Sequence, residues 1–100
     1  MIQLTRMRLD AEQTSALEYA LNLVTDEVYL FGSRLDPSRK GGDIDLLVFS
    51  KQDSFQLSQQ ITLRFFEKCE EKIDVVVMDP SRLTDEQQAF LNLIEKQRLK

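Results

Sequence analysis

Two apolar, β-rich runs of seven residues, Asp43–Phe49 (DIDLLVF) and Lys72–Met78 (KIDVVVM), stand on either side of one helical stretch. Strands joined through a helix normally return in the same direction, so this arrangement predicts a right-handed parallel crossover. A third run, Glu27–Phe31 (EVYLF), ends at Gly32 and is joined to Asp43–Phe49 by only about a dozen residues. So short a connection suits antiparallel neighbours, and together the three runs predict a small mixed sheet. The parallel pair fixes the architecture, because its strands need helices to cover them.

The helices can be read from spacing. Asp10 is placed to cap a run in which Ala16, Leu17, Ala20, Leu21 and Val24 recur at helical intervals. Between the parallel strands, Leu57, Ile61 and Phe65 share one helical stripe, with Phe66 and Cys69 beside it. Pro80 ends the third strand. Thr84 followed by Gln87 resembles a capping box, opening a last helix with Phe90, Leu91 and Ile94 on its apolar face. The expected order is α-β-β-α-β-α, an α/β fold (α+β by some schemes) with a three-stranded mixed sheet. With 100 residues and no Pro/Gly/Ser-rich linker, one domain is expected, its core spanning about residues 10–98.

Composition narrows the function classes. A net charge of −4 argues against direct nucleic-acid binding, which calls for a basic stripe. The basic residues cluster locally only at Arg34, Arg39 and Lys40. A single cysteine, Cys69, excludes an internal disulfide, and the absence of histidine excludes Cys/His zinc sites. No apolar run approaches the ~20 residues that span a bilayer, and the first ten residues hold no continuous apolar core of signal-peptide length. These features lead to the expectation of a cytoplasmic protein with no membrane contact.

The strands carry acids where packing gives no reason for them. Residues i and i+2 of a strand share a face, so Asp43 and Asp45 project together while Ile44, Leu46 and Val48 turn to the core. Asp74 interrupts the most strand-like run in the chain and joins them if the parallel strands are neighbours. Carboxylates on one face repel unless one is protonated or a cation lies among them, and oxygen-only ligands suit Mg²⁺ or Mn²⁺. Such a set is the framework of a two-metal site, with ions about 3.5–4 Å apart clamping attacking and leaving oxygens. Other readings stand beside this one: a solvated D-x-D at a strand start, or Asp74 as a charge that blunts an edge strand. An EF-hand is excluded, since Leu47 and Val48 follow where oxygen ligands would be needed.

Gly32 and Ser33 follow a strand. A glycine there lets backbone approach a ligand, and the Ser33 hydroxyl adds a donor for phosphate. Arg34, or Arg39 and Lys40, would neutralise further phosphate charge. The spacing is not that of a Walker A loop. Gly41 and Gly42 suit a sharp turn into the second strand.

Together, Gly32-Ser33, nine intervening residues and Asp43-Ile44-Asp45-Leu46 resemble the G-S…D-h-D signature (h apolar) of the DNA polymerase β nucleotidyltransferase superfamily. Asp74 matches that superfamily's third carboxylate, and the size is similar to its minimal nucleotidyltransferase (MNT) branch. That resemblance, covering roughly Glu27 to Met78, implies a set of expectations. Gly32 and Ser33, with Arg34 beside them, hold the triphosphate of an incoming nucleotide. Asp43, Asp45 and Asp74 bind Mg²⁺ or Mn²⁺, and Asp74 helps activate the acceptor. The reaction transfers a nucleoside monophosphate, AMP from ATP, to a hydroxyl with release of pyrophosphate. Members of this branch often serve as antitoxins paired with a small helical HEPN-type protein, whose tyrosine is the acceptor. The alternative is a binding module that neutralises such a partner by occlusion, without turnover. A chain this short lacks a second domain for the acceptor, so a partner or a second copy in a homo-oligomer completes that side. The loop "RLDPSRKGG" departs from the branch: many members have a small residue and a glycine soon after G-S, and often a serine just before D-h-D.

Overall fold

A computed structural model describes residues 8–39 and 41–100. Helix α1 (Ala11–Leu21) is followed by strand β1 (Glu27–Phe31), a 3-10 turn (Gly32–Leu35) and strand β2 (Ile44–Phe49). Then come α2 (Ser54–Phe66), β3 (Ile73–Met78), α3 (Asp85–Leu93) and β4 (Lys96–Arg98).

Each helix start has a local cause. Asp10 accepts the Gln13 N–H at 2.7 Å while the Asp10 N–H donates to Gln13 Oε1 at 3.1 Å. Thr84 and Gln87 make the same reciprocal pair, the capping box expected from their spacing. Asp53 caps α2 by accepting from the Gln56 N–H.

The sheet order is β3-β2-β1-β4. β1 and β2 run antiparallel, and β2 and β3 parallel, as the connections require. The sheet has four strands where three were expected. β4 is three polar residues on the outer edge of β1, pairing Phe31 with Lys96 and Tyr29 with Arg98. Its lack of apolar alternation hides it from a periodicity argument, and the ladder to β1 holds it in place.

One face of the sheet is closed. Val28, Leu30, Ile44, Leu46, Val48 and Ile73 pack under α1 (Ala16, Leu17, Ala20, Leu21) and α2 (Leu57, Ile61, Phe65), and all are buried. Fully burying a side chain of this size contributes about 1.5–3 kcal/mol, so this layer carries most of the stability. Strand alternation sends Tyr29, Phe31, Asp45, Leu47, Phe49, Asp74 and Val76 to the opposite face. There Tyr29 meets Phe49 edge-on at 5.7 Å, and Phe31 meets Phe90 of α3 at 5.5 Å. α3 itself buries no residue. Among the described residues, no helix is long and apolar enough to cross a membrane.

Candidate active site

The acids gather at the sheet end where β1 stops and β2 and β3 start. Register pairs Phe31 with Asp45 across β1 and β2, and Asp45 with Asp74 across β2 and β3. Neighbouring strands lie about 4.8 Å apart, so Asp45 sits between the glycine turn on one side and Asp74 on the other. Asp43, one residue before β2, shares the face of Asp45 by alternation. Its Oδ2 lies 3.5 Å from the Lys72 ammonium in an exposed ion pair.

Asp45 bears the electrostatic cost of this arrangement. Burial pushes its carboxyl above the ordinary range, and the Asp74 and Asp43 carboxylates push it further, with Lys72 opposing. An anion held up by two other anions is what a hard cation relieves, and the donor set is all oxygen. In kind, therefore, Asp43, Asp45 and Asp74 fit a divalent metal. Among the described residues, no three metal-capable side chains are drawn closely enough together to enclose an ion.

The glycine turn is built against these acids. Gly32 has φ +79°, and a Cβ there would overlap Asp45 Oδ2. Only glycine lets the Asp45 carboxylate lie across this backbone. Gly42, with φ +87°, stands in the same relation to Ser33, whose Oγ occupies the space a side chain would take. The two ends of the loop thus close on each other, bringing Ser33 beside the start of β2.

Arg34 has a different place from the expected phosphate contact. Its side chain is buried (7% exposed), with Nε donating to Gly42 O at 3.1 Å and Nη1 to Arg8 O at 2.9 Å and Gln13 Oε1 at 3.1 Å. Those donors hold the loop from within, so the guanidinium is committed to backbone and to the α1 cap. Arg8 works from the other side. Its Nη2 donates to Ser33 O at 2.7 Å and Gly41 O at 3.0 Å, and its Nε to Asp36 O at 2.7 Å. The Arg8 N–H donates to Arg34 O at 2.8 Å, completing a reciprocal clasp. Asp36 Oδ1 accepts from the Ser38 N–H and Oγ–H, which holds the Asp36 carboxyl below its usual range.

Sequence reasoning missed Arg8 and Gln13. The D-x-x-Q spacing from Asp10 to Gln13 offered a capping-box signal, whereas nothing about Arg8 distinguishes it from a surface arginine. Arg39 is exposed at the loop tip, and Lys40 lies outside the described residues.

Residues 15–99 match the family described as a nucleotidyltransferase domain. The chain belongs to that family. No curated protein matches it. Family membership makes nucleotidyl transfer the activity and a nucleoside triphosphate the substrate class, and places a divalent metal among the family's general requirements.

Proposed function

We propose that this nucleotidyltransferase domain transfers AMP from ATP to a hydroxyl of a partner protein, as the MNT antitoxin of a pair whose other member is HEPN-like. The observation that carries the catalytic part is the contact of Gly32 with Asp45, which joins the phosphate turn and the acid cluster into one site. The match to the G-S…D-h-D signature supports the finer assignment, and the cytoplasm, where ATP is available, is the compartment it implies.

Gly32 and Ser33 bind the triphosphate, held in position by Arg34 and Arg8 behind them. Asp43, Asp45 and Asp74 would hold Mg²⁺ or Mn²⁺. When bound, the metal neutralises phosphate charge and favours the ionised acceptor. The acceptor oxygen bonds to the α-phosphorus as the bond from that phosphorus to the bridging oxygen breaks. Pyrophosphate leaves with that electron pair, and the acceptor proton passes to Asp74. Among the described residues β3 is the outer strand of the sheet on that side, and a partner or a second copy completes the acceptor side.

The test is intact-mass analysis of a co-expressed HEPN-type partner after incubation with this protein, ATP and Mg²⁺. One adenylate increment or more is expected, falling at least about a hundredfold in rate with Asp45→Asn. A folded, bound pair that gains no mass would sink the catalytic reading in favour of neutralisation by occlusion.

A further inference from the structure

The two edges of the sheet are defended very differently. β4 closes one edge with three residues, among them the charged Lys96 and Arg98. β3 forms the other with six, and its β-branched Val75, Val76 and Val77 are each only half-buried. The Ile44 N–H donates to Lys72 O and the Ser50 N–H to Met78 O, so the even-numbered residues of β3 turn their backbone groups to β2. Ile73, Val75 and Val77 therefore point theirs outward, and among the described residues nothing pairs with them. Charges, prolines and bulges usually blunt such an edge, and these three positions carry none. Asp74 does not serve, since its backbone faces β2 and its side chain belongs with Asp45.

The flank of α2 beside this edge is apolar as well. Lys100 Nζ on Leu21 O and Arg34 Nη1 on Gln13 Oε1 tie α1 to the β1–β4 side, which leaves α2 over β3. α2 meets α1 through Arg64, whose guanidinium lies 4.1 Å from the centre of the Tyr19 ring. At about 100° per residue, Phe55 lies half a turn round the helix from Arg64 and faces away from α1. Phe55, Gln59, Thr62 and Phe66 share that stripe, with Phe55 70% and Phe66 45% exposed.

We propose that a second copy of this chain covers both surfaces at once, its β3 antiparallel to this β3 about a two-fold axis at Val75. In that register Val75 faces Val75 of the second copy and Ile73 faces its Val77, so every outward backbone group of the three residues is paired. The two four-stranded sheets become one, with both helix layers on the same face. A helix is about 10 Å wide, two strand spacings of about 4.8 Å, so α2 of the second copy falls beside α2 at an ordinary packing distance. The axis also reverses the helix, which brings Phe55 of each copy against Phe66 of the other.

An isologous contact needs a surface that complements itself, and this one does. The strand edge is symmetric about Val75, and the stripe of α2 carries a ring at either end. Charge agrees: Lys51 and Arg82 gather round Asp79 at the carboxyl end of β3, and the axis sets them against Glu70 and Glu71 of the second copy. With about 200 Å² to a phenylalanine, Phe55 and Phe66 leave roughly 230 Å² of ring in water on each copy. Leu63 at the rim and the strand edge bring this to several hundred Å² a side, the scale of a modest interface and of micromolar association. Asp74 then lies directly opposite Val76 of the second copy, which walls the acceptor side of the acids.

The test is sedimentation equilibrium of the whole chain without nucleotide, so its failure leaves the nucleotidyltransferase reading standing. A monomer–dimer equilibrium with a dissociation constant below about 100 µM is expected. Val75→Pro removes the N–H at the axis, in an edge position that tolerates proline, and should weaken the dimer tenfold or more. Phe55→Lys and Phe66→Glu, both on the exposed stripe, should each do the same. Combined in one chain, they set opposite charges face to face across the axis and should dimerise more tightly than either alone. Circular dichroism melting establishes that each variant folds, and if Val75→Pro does not, the two helix substitutions carry the test. A wild-type chain that stays monomeric overturns the proposal and leaves the edge to a strand of a different protein. A dimer untouched by the folded variants overturns its placement on β3 and α2. Loss in the single variants without recovery in the combined one overturns the antiparallel pairing.

Discussion

The two faces of the sheet are made from the same strands and have opposite characters. Under α1 and α2, the inward side chains of β1 and β2 (Val28, Leu30, Ile44, Leu46, Val48) are fully buried against apolar neighbours. On the other face, the same strands carry Asp45, half-buried aromatic rings and one fully buried residue, Leu47, while α3 buries nothing of its own. Period-two alternation makes this division possible, since one residue's step along a strand moves from packing to chemistry. The lesson is that most of the apolar burial lies on one face and the acids lie on the other, so substitutions should sort largely by face and not by distance along the chain.

The largest effect expected is in the closed layer. Phe65 is fully buried, so Phe65→Ala should cost about 3–5 kcal/mol, a large part of the ~5–15 kcal/mol available to a small domain. Phe90→Ala, which removes a half-buried ring, should cost less, with about 0.5–1.5 kcal/mol of the loss coming from its edge-on contact to Phe31. Urea unfolding of both variants measures the contrast directly. Equal losses would break the comparison and show that α3 is as integral as α2.

Next is Arg34, the residue whose role changed most between sequence and structure. As a brace with three hydrogen bonds to Gly42, Arg8 and Gln13, its loss in Arg34→Ala should cost about 1.5–3 kcal/mol without any nucleotide present. An arginine that only met phosphate would leave unliganded stability unchanged. Denaturant midpoints of the ligand-free variant therefore separate the two roles.

That case shows where sequence legibility stops. Helices, parallel and antiparallel pairings and the convergence of Asp43, Asp45 and Asp74 on one face all follow from periodicity, connection length and alternation, which are local. β4 does not, because Lys96-Gln97-Arg98 has no pattern of its own and becomes a strand only through the ladder offered by β1. The direction of a guanidinium is not legible either. Arg34 and Arg39 are both loop arginines in sequence, and only the third dimension puts the first inside and the second at the exposed tip.

A smaller effect isolates the contact that unites the site. Gly32 and Gly41 both have positive φ, but a Cβ at Gly41 meets nothing within 4 Å, while one at Gly32 overlaps Asp45. Gly41→Ala should cost about 1–2 kcal/mol from the left-handed backbone alone. Gly32→Ala should cost measurably more, and the excess should disappear when Asp45→Gly is combined with it. Equal costs for the two single variants would mean that the carboxylate moves aside freely and that Gly32 is a plain turn.

The smallest effect has the opposite sign, which makes it the sharpest test of the division between faces. The folded-state pKa of Asp45 is raised, chiefly by burial and then by Asp74 and Asp43, so the fold favours its protonated form. The stabilisation linked to that proton is complete below the ordinary carboxylate pKa of about 4. It is lost as pH rises through the folded value, so at neutral pH ionised Asp45 works against folding. In metal-free buffer at pH 7, Asp45→Asn should therefore melt a few degrees higher than the wild type. That gap should narrow as the pH falls toward 4. Mg²⁺ should raise the melting temperature of the wild type more than that of Asp45→Asn, because a ligand that binds only the folded state stabilises it. A variant that melts lower than the wild type at pH 7 would mean that Asp45 contributes to stability, and the separation of the two faces would fail at the residue on which the site is centred.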